Sequence, residues 1–208
     1  MGSAALRRQK AIARRPKGAA TRARIVSEAR RILIEDGYDA LALRRVAAVA
    51  GIQLGNLQYY FPNRESLLLE ILRAEAKSDL DTLGALVERG LETELLVREL
   101  VALFVRRWRG RSGVVHMTLG FLSHHNPVLR KAYREYYAAF YAHLERALER
   151  ADPGQPLPVY AERARLLNAM MDGAAMQRSV GPLKPYLDAV CSAAEGIVAP
   201  AARGGPAA

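Results

Sequence analysis

Cysteine pairs, long apolar runs and acidic residues near the N-terminus are all missing from this sequence. The single cysteine, Cys191, excludes an internal disulfide and is typical of a protein kept in a reducing compartment. No apolar run reaches the ~18 residues that a membrane span requires. The basic N-terminus also lacks the apolar segment of a secretory signal. We therefore expect a cytoplasmic protein that does not enter a membrane.

The first 24 positions hold eight basic residues and no acidic one. Residues 1–66 contain thirteen Lys and Arg against five Asp and Glu, so they carry +8 of the net charge of +10. Positive charge concentrated in the N-terminal third indicates a polyanionic partner there. The alternative is that the basic segment is disordered and only aids solubility.

Helical periodicity runs through most of the chain, and strand-like alternation and internal repeats are missing. Thr21 is predicted to cap the first helix and Asn63 the fourth, while Gly37 and Gly51 end the first two. Helices are predicted at residues 21–36, 43–50, 54–60, 64–88, 93–109, 112–124, 127–150, 159–180 and 184–198. The pattern therefore predicts an all-α fold of about nine helices.

Residues 51–68, GIQLGNLQYYFPNRESLL, combine turn-forming residues with large apolar ones. Two short helices joined by a glycine turn and packed on a first helix form a helix-turn-helix. On a helical wheel Leu57 and Phe61 face inward, whereas Gly55 and Asn56 lie on the opposite arc. An amide beside an open glycine backbone suits base edges and phosphates, so this stretch is predicted to face DNA.

The chain resembles the TetR family of transcriptional regulators in residues 44–52, RRVAAVAGI, and 55–67, GNLQYYFPNRESL. Gly37 and Tyr38 also stand where that family has a Gly-aromatic turn. The motif covers residues ~21–68, and the remaining chain matches only in length and helical character. The resemblance implies an N-terminal three-helix helix-turn-helix DNA-binding domain and a C-terminal helical domain for ligand binding and dimerisation.

The resulting domain boundaries place a disordered basic tail at 1–20 and the DNA-binding domain at 21–66. The ligand-binding and dimerisation domain then covers 67–200, and 201–208 forms a second disordered tail.

The resemblance also implies which side chains contact DNA. The first helix of the motif would send an arginine to a base edge or phosphate, the start of the recognition helix would enter the major groove, and the remaining residues would bind phosphates. The implied DNA-binding residues are Arg44, Leu54, Gly55, Asn56, Tyr59, Tyr60 and Arg64. Four positions depart from the family. Ala42 replaces a capping Ser or Thr, Gln58 replaces a common Tyr, Leu54 stands where a polar residue is frequent, and Arg64 stands where Lys is usual.

Dimerisation is implied for the last two long helices, which the family packs across a two-fold axis. The implied dimerisation residues are Leu166, Met170, Gly173, Ala174, Gln177, Leu187, Val190 and Ala194. The alternative is that these residues, which form one stripe on each of the two helices, are buried within a single chain. Dimers are expected because a helix-turn-helix usually reads two half-sites, which also implies a palindromic operator.

A small-molecule pocket is implied between the DNA-binding motif and the dimer helices. The implied ligand-binding residues are Phe104, Trp108, Met117, Phe121, His124, Tyr133, Tyr137, Tyr141 and Met170. Large apolar groups with a few polar tips suit a hydrophobic or aromatic ligand. Of these, Trp108, Phe121, Tyr137 and Tyr141 are expected to line one cavity. The alternative for each residue is an ordinary core position.

No metal, cofactor or catalytic motif is expected. His116 and His124 share a helix face, but no carboxylate or cysteine completes a ligand set at metal spacing. Gly-x-Ser-x-Gly, Walker, His-Glu-x-x-His and Gly-x-Gly-x-x-Gly sequences are missing, so we do not expect an enzyme. The sequence favours a homodimeric repressor released from double-stranded DNA by a small effector. The alternatives are a DNA-binding regulator of the same fold without a ligand and, less well supported, an all-α enzyme.

Overall fold

The computed structural model describes residues 16–177 and 183–199, and within these ranges the chain forms nine α-helices and no strand. The helices are α1 (Pro16–Glu35), α2 (Leu43–Val49), α3 (Leu54–Tyr60), α4 (Arg64–Val87), α5 (Thr93–Arg109), α6 (Arg111–His125), α7 (Pro127–Ala151), α8 (Leu157–Met176) and α9 (Leu183–Val198). The all-α prediction is therefore confirmed. Over the same ranges, no helix has the length and apolarity that crossing a membrane would require. The predicted tail residues 1–15 and 201–208, and the predicted helix end at 178–180, lie outside the described residues.

The prediction that Thr21 caps the first helix is wrong. Helix α1 begins at Pro16, and the Thr21 hydroxyl donates to the carbonyl oxygen of Lys17, one turn back inside the helix, at 2.9 Å. Residues 16–20, which were predicted to belong to the disordered tail, are therefore helical. Proline suits the first helical position because its fixed φ matches the helix and its missing N–H has no partner there, and the alanines that follow favour helix.

The chain forms two compact units. Unit 1 comprises Met1–Glu75 and Val115–Tyr133, and unit 2 comprises Ala76–Val114 and Arg134–Ala208. Unit 1 therefore contains the predicted helix-turn-helix domain and adds the start of α4, most of α6 and the start of α7.

The core of unit 1 is built on the predicted inward face of α1. Ile25, Ala29, Ile32 and Leu33 are all 0–1% exposed, and Val46 of α2 and Leu57 of α3 join the same cluster. Gly51 makes the turn between α2 and α3 with φ of 63°, a left-handed conformation that glycine adopts without strain. The three helices of the predicted DNA-binding motif thus share one apolar core.

The starts of α4 and α2 differ in their capping, as the sequence predicts. Asn63 caps α4, because its Oδ1 accepts from the backbone N–H of Ser66 at 2.8 Å while the Ser66 hydroxyl donates to the Asn63 carbonyl at 2.7 Å. Ala42, at the start of α2, makes no side-chain cap. Helix α4 is therefore anchored at its first turn, whereas α2 forgoes about 1 kcal/mol of capping free energy.

Unit 2 is organised around α5, which packs against α8 and α9. Three aromatic rings fill the centre of its core: Phe104 lies 5.0 Å from Trp108 and 5.3 Å from Phe140 of α7, measured between ring centroids. Phe104 and Phe140 are fully buried and Trp108 is 4% exposed. Rings at these distances and tilts pack as closely as other aromatic cores do.

A buried carboxylate ties three helices of unit 2 together. Asp79 of α4 is 0% exposed and accepts from Arg107 at 2.5 Å, from the Trp108 indole N–H at 3.2 Å and from the Tyr136 hydroxyl at 2.9 Å. A buried carboxylate needs such partners, since leaving its charge unpaired would cost several kcal/mol. Asp79 therefore links α4, α5 and α7.

The turn from α5 into α6 leaves no room for a side chain at Gly113. A Cβ atom built there would lie 1.5 Å from the carbonyl oxygen of Trp108, which is backbone and has little freedom to move. Gly84 on α4 offers a contrast, because a Cβ there meets nothing within 4 Å.

We expect Gly113→Ala to lower the free energy of unfolding by at least about 1–3 kcal/mol, because the backbone of the α5–α6 turn must shift. The matched substitution Gly84→Ala should raise it by about 0.5–1 kcal/mol, since alanine favours helix and meets no obstacle. Urea unfolding followed by circular dichroism measures both. Equal effects of the two substitutions would contradict the predicted clash.

Candidate functional site

The outward face of α3 is polar and open. Gly55, Asn56 and Gln58 are exposed, whereas Leu57 and Phe61 are 0–1% exposed on the opposite side of the segment. Burial of the apolar side fixes the rotation of the helix about its axis. The amide of Asn56 is therefore presented to solvent beside a glycine that lets another backbone approach closely.

Three predicted DNA-binding residues of α3 are half-buried. Leu54 and Tyr60 pack partly against the unit 1 core. The ring of Tyr59 stands at 87° to that of Tyr60, with centroids 5.5 Å apart. This edge-to-face contact braces the two tyrosines at the end of α3.

The two neighbouring arginines of α2 lie in different surroundings. Arg44 is exposed. Arg45 forms an ion pair with Asp36, at the end of α1, with 2.8 Å between Nη2 and Oδ2. The charge of Arg45 is thus partly neutralised within the protein.

Arg64, the predicted phosphate ligand at the start of α4, stacks on an aromatic ring. Its guanidinium carbon lies 4.1 Å from the ring centroid of Tyr38. A guanidinium stacked in this way keeps its N–H donors at the rim of the ring, where they can meet an oxyanion. The sequence indicated Tyr38 only as part of a turn, so its role as a support for Arg64 was not predicted.

The first part of α1 adds positive charge to unit 1. Lys17 and Arg24 are exposed, whereas Arg22 pairs with Glu70 of α4 and its guanidinium carbon lies 5.1 Å from the Phe61 ring. A cavity of about 490 Å³ adjoins this ion pair, between α1 and α4. Its lining residues are Ala19, Arg22, Ala23, Val26, Ser27, Arg30, Glu70 and Ala74, and none of them belongs to the predicted ligand set.

Five of the nine predicted ligand-binding residues lie in unit 2. Phe104 and Trp108 belong to its closed aromatic core, and Tyr137, Tyr141 and Met170 are half-buried against that core. The Tyr137 and Tyr141 rings lie 5.7 Å apart. Unit 2 therefore brings a tyrosine pair to the margin of its apolar core.

The other four predicted ligand-binding residues belong to unit 1. Met117 and Phe121 are 43% and 67% exposed, and the Phe121 ring lies 5.8 Å from the His125 ring one turn further along α6. His124 is exposed, and the Tyr133 hydroxyl donates to the carbonyl of His116 at 2.9 Å. Hence the four aromatic residues expected to share one cavity are not all brought together within one unit, because Phe121 points away from the unit 1 core.

Two polar residues of α8 that the sequence analysis missed lie beside the tyrosine pair. The Oδ2 atom of Asp172 accepts from the Tyr137 hydroxyl at 3.1 Å and from the Asn168 amide nitrogen at 2.9 Å. Burial, and then the charge of Asp172, raises the pKa of the Tyr141 phenol. Asn168 follows Ala164 at helical spacing on the buried stripe of α8, and a polar residue on such a stripe was the available signal.

The predicted dimerisation stripes divide between core and surface. Ala174, Leu187 and Ala194 are 0–4% exposed within a single chain, because α8 and α9 turn these positions toward α5. Leu166 is 48% exposed, Gln177 is exposed, and Met170, Gly173 and Val190 are half-buried. Only the latter group has surface available to a second copy.

Within the described ranges, no three histidine, cysteine or acidic side chains come close enough together to hold a metal ion. Cys191 is buried on α9, and burial raises the pKa of its thiol.

Two family models match separate stretches of the chain. The family model "Bacterial regulatory proteins, tetR family" matches residues 25–71, and "BetI-type transcriptional repressor, C-terminal" matches residues 96–198. Comparison with curated proteins gives no match.

Solved structures support the fold over most of the chain. A transcriptional regulator from Rhodococcus sp. Rha1 is 22% identical, with 85% of this chain and 95% of that chain covered and a TM-score of 0.73. A transcriptional regulator from Saccharomonospora viridis, solved in complex with choline, is 21% identical, with coverage of 86% and 96% and a TM-score of 0.68. A TetR-family regulator from Mesorhizobium loti is 17% identical, with coverage of 86% and 95% and a TM-score of 0.74.

The two family models together span the recognition helix of unit 1 and most of unit 2. With the fold and the exposed face of α3, they lead to one conclusion: this chain is a DNA-binding transcriptional regulator and belongs to the TetR family.

Proposed function

We propose that the protein is a homodimeric repressor that releases its operator when a small hydrophobic or aromatic molecule binds to unit 2. The observation that carries the DNA-binding half of this proposal is the α3 face, where Asn56 and Gly55 are exposed over a buried anchor of Leu57 and Phe61. A protein that reads chromosomal DNA in this way acts in the cytoplasm.

The ligand-binding half of the proposal is supported by the half-buried tyrosines of unit 2. Tyr137 and Tyr141 lie on the apolar core and interact with polar groups of α8, as suits a pocket that needs both burial and orientation. The choline complex of the Saccharomonospora viridis regulator supports a small-molecule effector for a chain of this fold. An effector acts through its difference in affinity for the DNA-bound and free forms.

A regulator of the same fold without a ligand remains the second candidate. The specific observation in its favour is that Phe104, Trp108 and Phe140 pack closely on one another and are at most 4% exposed. These three rings are therefore buried without any ligand. Release of DNA by an added small molecule separates the two candidates.

The operator is identified by incubating the purified full chain with fragmented DNA of its source genome and sequencing the fragments that it retains. We expect recovered sites to contain an inverted repeat, because each subunit of a dimer reads one half-site. Small molecules are then tested for release of the recovered site in a mobility-shift assay. Recovery of a single unrepeated site would contradict a two-fold dimer on DNA.

Arg44→Ala and Asn56→Ala should each weaken binding to the recovered operator by about 1–3 kcal/mol, because each removes a contact to base edges. Arg45→Ala is the matched control, since it removes the same charge from an arginine already paired with Asp36. Arg45→Ala should weaken operator binding by well under 1 kcal/mol. Fluorescence anisotropy with specific and scrambled duplexes measures the difference. Equal losses of affinity for Arg44→Ala and Arg45→Ala would contradict the assignment of Arg44 as the arginine of α2 that enters the groove.

Gly173→Leu should dissociate the dimer. Gly173 is half-buried on α8, and a Cβ atom built there meets nothing within 4 Å among the described residues. A leucine side chain should obstruct the close approach of a second copy. Gly84→Leu, on α4, makes the same change at another open helical glycine and should leave the dimer unaffected. Sedimentation at micromolar concentration measures both, and a wild-type monomer would contradict the proposed dimer.

A further inference from the structure

The groove between α1 and α4 lies within unit 1 and is lined by residues other than those of the exposed α3 face. Its volume is about 490 Å³, which is within the range of small-molecule sites. On α1 the lining residues recur every three or four positions from Ala19 to Arg30, so they form one stripe. Glu70 and Ala74 of α4, which are one turn apart, line the same space. The groove therefore follows the seam between the two helices.

Short side chains leave this space open. Ala19, Ala23 and Ala74 are exposed and offer only methyl groups to the groove, and Val26, at 9% exposed, adds further apolar surface. A flat apolar molecule placed on these groups removes both its own apolar surface and theirs from water, which is favourable. The composition of the groove therefore suits a ligand with an apolar body.

Two arginine–glutamate pairs bridge the groove. Arg22 pairs with Glu70, and Arg30, about 12 Å further along α1 at a rise of about 1.5 Å per residue, pairs with Glu75. The other carboxylate oxygen of Glu70 lies 3.6 Å from Arg73. Three arginines thus interact with two glutamates, which leaves an excess of one positive charge. That excess complements a ligand with a single negative charge.

Glu70 stays ionised in this arrangement. Burial by itself would raise the pKa of its carboxyl, but the hydrogen bond and charge of Arg22, followed by those of Arg73, lower the pKa below its usual value. An anion that enters the groove must therefore share Arg22 with a charged competitor. Arg22 can be shared because Glu70 keeps Arg73 as a second partner.

We propose that this groove binds a small aromatic monocarboxylate. The ring lies on the alanine methyl groups, and the carboxylate accepts hydrogen bonds from the guanidinium of Arg22. An aromatic body is favoured over an aliphatic one because guanidinium groups stack on rings, as Arg22 does on Phe61 at 5.1 Å from the ring centroid. This site is separate from the effector site proposed for unit 2, and binding to it does not depend on that proposal.

Arg22 also connects the groove to the anchor of α3. Phe61, the ring on which its guanidinium stacks, is 1% exposed and directly follows α3. A carboxylate that draws Arg22 toward the groove weakens this contact. Occupancy of the groove should therefore weaken DNA binding by α3, a consequence that rests on the proposed function.

Three probes separate the charge from the apolar body in the full-length wild-type protein. Cinnamate has both, cinnamamide has the same ring and length without the charge, and acetate has only the carboxylate. In isothermal titration calorimetry cinnamate should bind with a Kd below about 1 mM, cinnamamide at least about 10-fold more weakly, and acetate not at all up to about 10 mM. Equal affinities for cinnamate and cinnamamide, or no cinnamate binding up to about 10 mM, would overturn the proposal.

Substitutions at matched positions assign the probe to the groove. Ala23→Leu fills the groove and should weaken cinnamate binding at least about 10-fold, whereas Ala20→Leu, at an exposed alanine of α1 outside the lining, should leave it unchanged. Glu70→Gln removes the competing carboxylate and should strengthen cinnamate binding several-fold. Its control is Glu28→Gln, which removes a carboxylate of α1 that pairs with Arg31 and should have little effect. Circular dichroism checks that each variant is folded.

Arg22→Met keeps the length of the side chain and removes its charge, so it should abolish the preference for cinnamate over cinnamamide. Cinnamate binding that neither Ala23→Leu nor Glu70→Gln changes lies outside the groove and contradicts the proposed site. If Tyr137→Ala abolishes that binding instead, the probe belongs to unit 2, which supports the effector site proposed there and overturns the groove site.

The effect on DNA is measured separately, so that the two proposals fail independently. In fluorescence anisotropy cinnamate should lower the affinity of the wild type for its recovered operator and should have no such effect on Ala23→Leu. Groove binding with unchanged operator affinity supports the site and contradicts the coupling through Arg22 and Phe61. Failure of the protein to retain any genomic DNA contradicts the proposed function, while the calorimetric test of the groove still decides this inference.

Discussion

Two buried carboxylates on α4 constrain the helices around them. Glu75 is 3% exposed and pairs with Arg30 of α1, and one turn later the fully buried Asp79 pairs with Arg107 of α5. Removing the partner of a buried charge typically costs about 3–5 kcal/mol, so each acid strongly disfavours any packing that separates it from its arginine. The Glu75–Arg30 pair belongs to unit 1 and the Asp79–Arg107 pair to unit 2, so α4 forms one buried ion pair in each unit.

The exposed face of α3 in unit 1 depends on anchors of a different kind. Leu57 and Phe61 hold α3 to the apolar core, and Asn63 caps the helix that follows. Tyr38 supports the guanidinium of Arg64. These contacts fix the helix backbone that carries the exposed Asn56, and they fix the guanidinium of Arg64, before any partner binds.

Unit 2 combines an aromatic core whose buried indole N–H is hydrogen-bonded with a margin where one buried oxygen has no donor among the described residues. Phe104, Trp108 and Phe140 pack on one another, and the Trp108 indole N–H has Asp79 as its acceptor. On α8, Asn168 buries a side-chain carbonyl oxygen that has no donor among the described residues. Natural cores rarely leave such atoms unpaired, and those that do often mark a binding site or an ordered water. The Trp108 indole N–H is thus paired, whereas the margin beside Tyr137 and Tyr141 contains a buried oxygen without a donor among the described residues.

By itself the sequence determined the positions of most helices, the inward face of α1 and the outward face of α3, because these depend on residues within a few positions of one another. It also indicated the family through residues 44–52 and 55–67, where spacing along a short segment carries the pattern. Its one clear error in this part, the start of α1 at Thr21 rather than Pro16, came from preferring a capping hydroxyl over the helix-compatible φ of proline.

Only the tertiary structure decided which side chains of the C-terminal region are core and which are surface. Trp108 and Phe121 were both predicted to line one cavity, yet Trp108 is buried against Phe140 and Phe121 is 67% exposed. Likewise, the buried position of Asp79 and the unpaired oxygen of Asn168 depend on helices that lie far away in the chain. The physical reason is that periodicity defines which residues share one face of a helix, while the burial of that face depends on the neighbouring helix that covers it.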